Sequence, residues 1–358
     1  MTTPPHRPGL GWNRRDWLAL VLLAALVLLF HWQLITPNPA DRQSYPPGDF
    51  SAQFWAFSTF EARELSAGRL PLWNPYTFAG APFWADAQSA VLYPFSLLAL
   101  ALSGLVGGGF SLFALEMEAV FHFWLAGSFM YLFARRITQS RAGGLVAALV
   151  FAFGGYLTGY PSQQLAVLEV DVWLPLILFF VDRAFLRHPP AGQAVFYPRP
   201  RPGDALLAGL AWGIAILAGH PQSWMLVGYT VAAYALFLIL QGDKKRRLAN
   251  GAMVVGVGVL GAALAAVQLL PAIEYTLLSV RAKGVYETMS GGLPLVDSIQ
   301  LLLPGVVSLY SPLYVGVVGL LLALFALFYR RTRFTLFWGV WGWLALVISF
   351  GGNTFVYS

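Results

Sequence analysis

The chain has 358 residues, 58% of them hydrophobic and only 11% charged, with a formal net charge of +6 and no cysteine. A soluble domain carries roughly a quarter charged residues, so this composition belongs to a chain solvated mainly by lipid. The missing cysteines exclude disulfides, zinc–thiolate sites and cysteine nucleophiles, and a positive excess gathered in short loops reads as cytoplasmic anchoring rather than nucleic-acid binding.

The N-terminal stretch MTTPPHRPGLGWNRRDW puts positive charge ahead of an apolar run from Trp17 to Ile35. That run is longer than a signal-peptide core and no small-residue cleavage site follows it, so it reads as a retained first transmembrane helix. A hydrocarbon core about 30 Å thick needs about 20 apolar residues per helix. Further candidate spans are 110–134, 141–159, 166–186, 204–219, 222–240, 251–271, 311–329 and 334–350, and the run 88–106 is also apolar enough.

Loop charge decides among them. Arg135, Arg136 and Arg141 share one connection; Arg187, Arg199 and Arg201 share a second. Lys244, Lys245, Arg246 and Arg247 fill a third, and Arg330, Arg331 and Arg333 a fourth. Keeping all four on the cytoplasmic side with Arg14 and Arg15 requires no net crossing between Ile35 and Phe110. The run 88–106, interrupted by Pro94, is therefore expected to be re-entrant or interfacial. The fold class that results is all-α: a single polytopic transmembrane domain over 1–358 with about nine spans. Its N-terminus is cytoplasmic, and its first extracytoplasmic loop runs from 37 to 109.

That loop carries most of the unusual residues. After a proline-rich lead, Asp49 opens an expected helix to about Ala67 with Phe50, Phe54 and Phe57 on one face. Glu61 and Glu64 are expected opposite them, as in a helix lying in the headgroup layer. Trp73, Tyr76 and Trp84 fit an aromatic belt. Asp49 is either the cap of this helix or a general base or divalent-metal ligand above the bilayer, and one geometry serves both. Asp86 has the same two readings before the next apolar run, with Gln88 beside it as support or as a ligand for a sugar hydroxyl.

Within the spans, Glu118 and His122 lie one turn apart on a shared face, with Glu116 on another. Such groups face a polar cavity or each other. Glu169 and Asp171 lie near the outer end of 166–186, either solvated because the helix starts later or drawn into an external cavity with Asp49. His220 and Gln222 form a polar turn between two spans and are also candidates for binding phosphate or sugar. Glu274 and Arg281, seven apart, share a face of any helix there, and an external arginine suits a lipid phosphate. There is no P-loop, no GxGxxG after a strand, no HExxH and no GxSxG elbow.

Several pieces, in order, resemble the bacterial YfhO-type family of multispanning proteins. They are GDFSAQFW, GRLPLWNPYTFAGAPFWADAQSAVLYP, AGSFMYLFAR, LPAIEYTLLSVR, SPLYVGVVGLLLALFAL and the terminal FGGNTFVYS. The block from Leu70 to Pro94 is the most specific. The resemblance implies a relation to GT-C integral-membrane glycosyltransferases of the bacterial plasma membrane. These move sugar from a polyprenyl-phosphate carrier to an acceptor on the outer face, with an acidic catalytic residue in the first external loop that maps onto Asp49. A divalent cation, magnesium or manganese, is the implied cofactor, and carrier lipid the implied partner. Relatives usually continue beyond the point where this chain stops, after Asn353-Thr354-Phe355, which suggests a shortened form. A lipid or sugar-lipid transporter, proton-coupled through Glu116, Glu118 and His122, and a non-catalytic membrane scaffold are the competing readings.

Overall fold

A computed structural model of the chain describes residues 11–185, 202–284, 291–307 and 311–354. Among them all regular structure is helical, apart from an isolated antiparallel bridge between Asn74 and Ala81. Four helical stretches are long and apolar enough to cross a membrane: Leu112–Thr138, Arg141–Thr158, Pro221–Gln241 and Lys244–Leu278. Shorter apolar helices span Pro94–Val106, Pro202–Leu217, Val317–Tyr329 and Arg333–Ser349. The protein is a helical bundle of membrane type.

In chain order, α1 is Arg14–Phe30, α2 Trp32–Ile35, α3 Trp55–Ser66, α4 Pro94–Val106 and α5 Leu112–Thr138. Then come α6 Arg141–Phe153, the short α7 Gly155–Thr158 and α8 Tyr160–Gln163, and α9 Leu165–Asp171. They are followed by α10 Leu174–Ala184, α11 Pro202–Leu217, α12 Pro221–Gln241, α13 Arg247–Leu278, α14 Val317–Tyr329 and α15 Arg333–Ser349. A reciprocal cap starts α1: the Asn13 side chain accepts from the Arg15 amide at 2.9 Å, and Asp16 accepts from the Asn13 amide at 2.8 Å.

Helix α5 is the axis of the bundle. Leu115, Ala119, Phe123 and Ala126 are sealed along it, and α1 presents Ala19, Leu23 and Val27, every fourth residue, as its buried stripe. On α6 that stripe is Gly144, Ala148 and Ala152. Small residues let two backbones approach where lipid offers no hydrophobic drive between helices. A Cβ at Gly261 of α13 would stand 2.1 Å from the Trp212 ring of α11, so those helices meet through a glycine.

Buried ion pairs fix which helix ends lie together. Asp16, at the start of α1, takes Arg135 at 2.6 Å from the end of α5 and Arg141 at 3.1 Å from the start of α6. The Tyr131 hydroxyl donates to it at 2.7 Å. Asp182 near the end of α10 takes Arg136 at 2.6 Å and the Tyr234 hydroxyl at 2.5 Å, while Arg183 meets Asp204 at the start of α11 at 2.9 Å. Helix α1 thus begins where α5 ends, and the segment joining them returns at the opposite end. Within it α4, at 13 residues, is about 20 Å long, short of a hydrocarbon core of about 30 Å.

Helix bounds depart from sequence expectation at several points. The stretch expected as one helix from 166 is interrupted between α9 and α10, because Pro175 has no N–H to return to the Asp171 carbonyl. The helix expected from 311 begins only at Val317, after Gly316 at φ +80°. Helix α13 ends at Leu278, so Glu274 and Arg281 are not on one helix; Arg281 lies in a single 3₁₀ turn, Val280–Lys283. Arg187, Arg199 and Arg201 lie outside the described residues.

Candidate functional site

The helical segment that begins at Phe50 starts with one π turn, Phe50–Phe54, and runs into α3. Phe50 and Phe54 are buried and pin its start, leaving Asp49 exposed at the head. Asp49 occupies the cap position without capping. Its carboxylate instead accepts a hydrogen bond from the side-chain amide of Gln164, the residue that opens α9. A contact 115 residues apart in sequence thereby sets the direction of the exposed acid.

Asp86 does cap. Its Oδ1 accepts from the Gln88 amide at 2.9 Å and starts the 3₁₀ turn Ala87–Ser89, whereas the longer helix starts at Pro94. Gln88 Oε1 accepts from Gln53 at 2.7 Å, which ties this turn to the segment headed by Asp49. Behind it the Ala87 carbonyl accepts from Gln268 at 3.3 Å. Gly219, at φ +89°, backs so closely on the same carbonyl that a Cβ would come within 2.1 Å. His220 therefore sits next to the Asp86 turn, where its Nδ1 accepts from the Ser223 amide at 3.2 Å and caps α12; Gln222 is exposed in the first turn. Asp49, Asp86, Gln88 and His220 thus stand on connected segments at one end of the bundle. Glu274 is exposed on the last turns of α13.

Glu169 and Asp171 are elsewhere. Both are buried in α9 rather than solvated. Asp171 accepts from the Tyr156 hydroxyl at 2.7 Å. Glu169 meets Glu118 of α5 within hydrogen-bonding reach. Glu118 accepts from Ser96 of α4 at 2.6 Å, and Glu61 of α3 is near enough for charge to act between it and both acids. His122 donates from Nδ1 to the Glu118 backbone carbonyl at 2.7 Å, which leaves Nε2 to accept from the Tyr93 hydroxyl at 2.7 Å. Trp173 donates to that hydroxyl at 3.1 Å. Glu118 and His122 are one turn apart, as their spacing required, but the link between them runs through the backbone.

The acids therefore form two sets: Asp49 and Asp86 near the surface, and Glu61, Glu118 and Glu169 sealed beneath. Burial, with the charge of Glu118 second, pushes the Glu61 carboxyl up to about 8. Glu116 is buried on another face of α5, beside Tyr45, whose hydroxyl burial and the Glu116 charge push upward.

Sequence reasoning missed Glu61, Gln164, Ser96 and Tyr93. For Glu61 the signal was present, because positions 50, 54, 57 and 61 form one helical stripe, so the acid lies on the aromatic face rather than opposite it. For Gln164 nothing local pointed to Asp49.

A groove of about 380 Å³ runs along the outer side of α3, lined by Ser51, Trp55, Thr59, Phe60, Arg63 and Tyr76 among others. It starts two residues from Asp49, and Arg63 donates to the Tyr76 hydroxyl at 3.1 Å across it. Aromatic walls, hydroxyls and one guanidinium suit a sugar ring with a phosphate attached. A second groove, of about 310 Å³ and almost wholly apolar, lies between α6 and α14 at Val146, Val150, Phe153 and Gly319. Among the described residues no three His, Asp or Glu gather at metal-ligand spacing. Asp49 offers one carboxylate, which suffices for magnesium only where phosphate oxygens and water complete its shell.

No protein-family model, no curated protein and no solved structure matches this chain.

Proposed function

We propose that the chain is a GT-C-type integral-membrane glycosyltransferase of the bacterial plasma membrane, with a cytoplasmic N-terminus and about nine spans. It transfers sugar from a polyprenyl-phosphate carrier to an acceptor at the outer face. The observation that carries this reading is Asp49: an exposed carboxylate at the head of a pinned helical segment, held by Gln164, on the same segment that carries a groove of about 380 Å³ along Ser51, Trp55, Thr59 and Arg63. The family resemblance of the Leu70–Pro94 block supports it.

In this reading the sugar lies against Trp55 and Tyr76, and Arg63 takes the phosphate through charge-assisted hydrogen bonds. His220 and Arg281 remain candidates for a further phosphate contact, and Gln88 and Gln222 for sugar hydroxyls. Asp49 removes the acceptor hydroxyl proton as that oxygen attacks the anomeric carbon, and the polyprenyl phosphate leaves. A general base must lie within hydrogen-bond reach of its proton, and the Gln164 amide holds the acid to one direction. When a divalent cation joins, Asp49 would hold it and the ion would supply Lewis acidity to the leaving phosphate.

The test is consumption of a polyprenyl-phosphate sugar by the purified full chain. Asp49→Asn should lower turnover by about 10²-fold or more while insertion and folding persist. Full turnover in that variant would remove Asp49 from the mechanism.

A second reading, proton-coupled transport of a lipid or sugar-lipid, is favoured by the sealed carboxyl groups of Glu118 and Glu169, since intramembrane acids mark proton paths. Uptake that follows a proton gradient with no glycosylated product would establish it over transfer.

A further inference from the structure

The three sealed glutamates have no part in the chemistry assigned to Asp49. They come from three separate elements, α3, α5 and α9, and are 2%, 5% and 2% exposed. Two observations bear on what they hold. Glu118 and Glu169 lie within hydrogen-bonding reach of each other, and two carboxyl groups can make such a contact favourable only through a proton carried by one of them. Independently, Glu61 Oε1 is sealed from solvent and meets no donor, and the same holds for Glu118 Oε2 and Glu169 Oε1. Three carboxylates in a sealed site, each with an unsatisfied oxygen, would repel one another with no cation to offset them. The remaining groups facing them are uncharged or distant: Ser96 and Tyr93 from the α4 side, His122 from α5 and Trp173 beyond α9. Glu116 lies near Tyr45 with one oxygen likewise sealed and without a donor, and Asp171 is engaged by Tyr156. No arginine or lysine is bonded to the three acids among the described residues.

The same two elements also meet at Asp49. The helical segment that carries Glu61 is headed by Asp49, and the helix that carries Glu169 is opened by Gln164. This pair of elements approaches at the acids and is hydrogen-bonded at Asp49–Gln164.

We propose that Glu61, Glu118 and Glu169 form a binding site for an exchangeable proton that locks the Asp49 segment against α5 and α9 and so keeps Asp49 on Gln164. With the proton bound, the cluster is a hydrogen-bonded contact. When the proton passes to water, like charges face one another across the joint, α3 is driven off, and Asp49 loses the amide that aims it. The part of this inference that concerns Asp49 rests on the transferase reading; the proton site does not.

The test is infrared titration of the full chain in lipid nanodiscs, with spin-label distances taken on the same samples. A protonated carboxyl gives a carbonyl band that shifts in deuterated water. The band should be present at neutral pH and lost as pH is raised, and Glu61→Gln, Glu118→Gln and Glu169→Gln should each remove part of it. Asp49→Asn should leave it unchanged, which separates a failure of the transferase reading from a failure of this one. Because the chain has no cysteine, labels at Thr59→Cys on α3 and Ala142→Cys on α6 can be placed without background. Their separation should change in step with loss of the band and stay fixed across pH in Glu61→Gln. Absence of the band at neutral pH in the unsubstituted chain would overturn the proton site. Its loss with no change in label distance would overturn the lock.

Discussion

At Glu61 a single carboxyl reports on the packing of the segment between α1 and α5. Its value of about 8 stands against 4.5 for a free glutamate. Between those two pH values the unfolded chain has released a proton that the folded chain keeps, so stability falls as pH rises through that window. The steepest slope is about 1.4 kcal/mol per pH unit. Glu61→Gln should flatten it, giving a variant less sensitive to pH than the parent in thermal unfolding between pH 5 and 8. Equal slopes would show that Glu61 ionises freely. In the proposed transfer, Gln164 acts only through the direction it gives Asp49. Gln164→Ala should therefore lower turnover by about 10-fold to 10²-fold, as expected for a misplaced reacting group, and Gln164→Asn should recover less than the parent because the amide falls short. The sequence made Asp49 conspicuous, through its position after Pro-Pro-Gly and before an aromatic run, but could not supply the partner, which lies across the fold. Glu61 was legible by periodicity and was displaced by the ordinary expectation that acids on an amphipathic helix face water.

Among the elements, the joint between the Asp86 turn and the α11–α12 turn depends on Gly219. Its φ of +89° favours glycine, and an added Cβ would fall 2.1 Å from the Ala87 carbonyl oxygen, which as backbone cannot step aside cheaply. Gly219→Ala should destabilise the protein by about 1–3 kcal/mol, seen as a lowered Tm in detergent, while an alanine at Gly251, where no atom stands within 4 Å, should be well tolerated. Helix positions were largely legible, because long apolar runs and their prolines carry their own signal: α5, α12 and α13 lie where hydropathy put them. The break between α9 and α10 was written in Pro175 and was outweighed by the continuous apolarity around it. What apolarity could not convey was burial, since in lipid an apolar face need not face protein. Glu169 and Asp171 are sealed because α9 packs inside the bundle, a tertiary fact without a local mark.

For the molecule as a whole, the arginines carried the most information. Reading the basic connections as one side of the bundle led to the expectation that the segment between α1 and α5 makes no net crossing, and the pairs Asp16–Arg135, Asp16–Arg141, Asp182–Arg136 and Asp204–Arg183 draw together the helix ends at the first two of those connections. The acids in these pairs gave no comparable signal, since nothing local distinguishes Asp16 or Asp182 from other polar residues near helix ends. Asp182→Asn, which removes the counter-charge of the partly exposed Arg136, should cost about 1–3 kcal/mol, measurable as reduced thermal stability with the helix content retained. The central claim is that the end of the bundle bearing Asp49 faces outward and the arginine end faces the cytosol. Labelling of intact cells with a membrane-impermeant thiol reagent tests it most directly, using one added cysteine at a time in this cysteine-free chain. Ser66→Cys should react from outside while Lys245→Cys should react only after the cells are opened; the reverse pattern, or reaction of both from outside, would contradict the account.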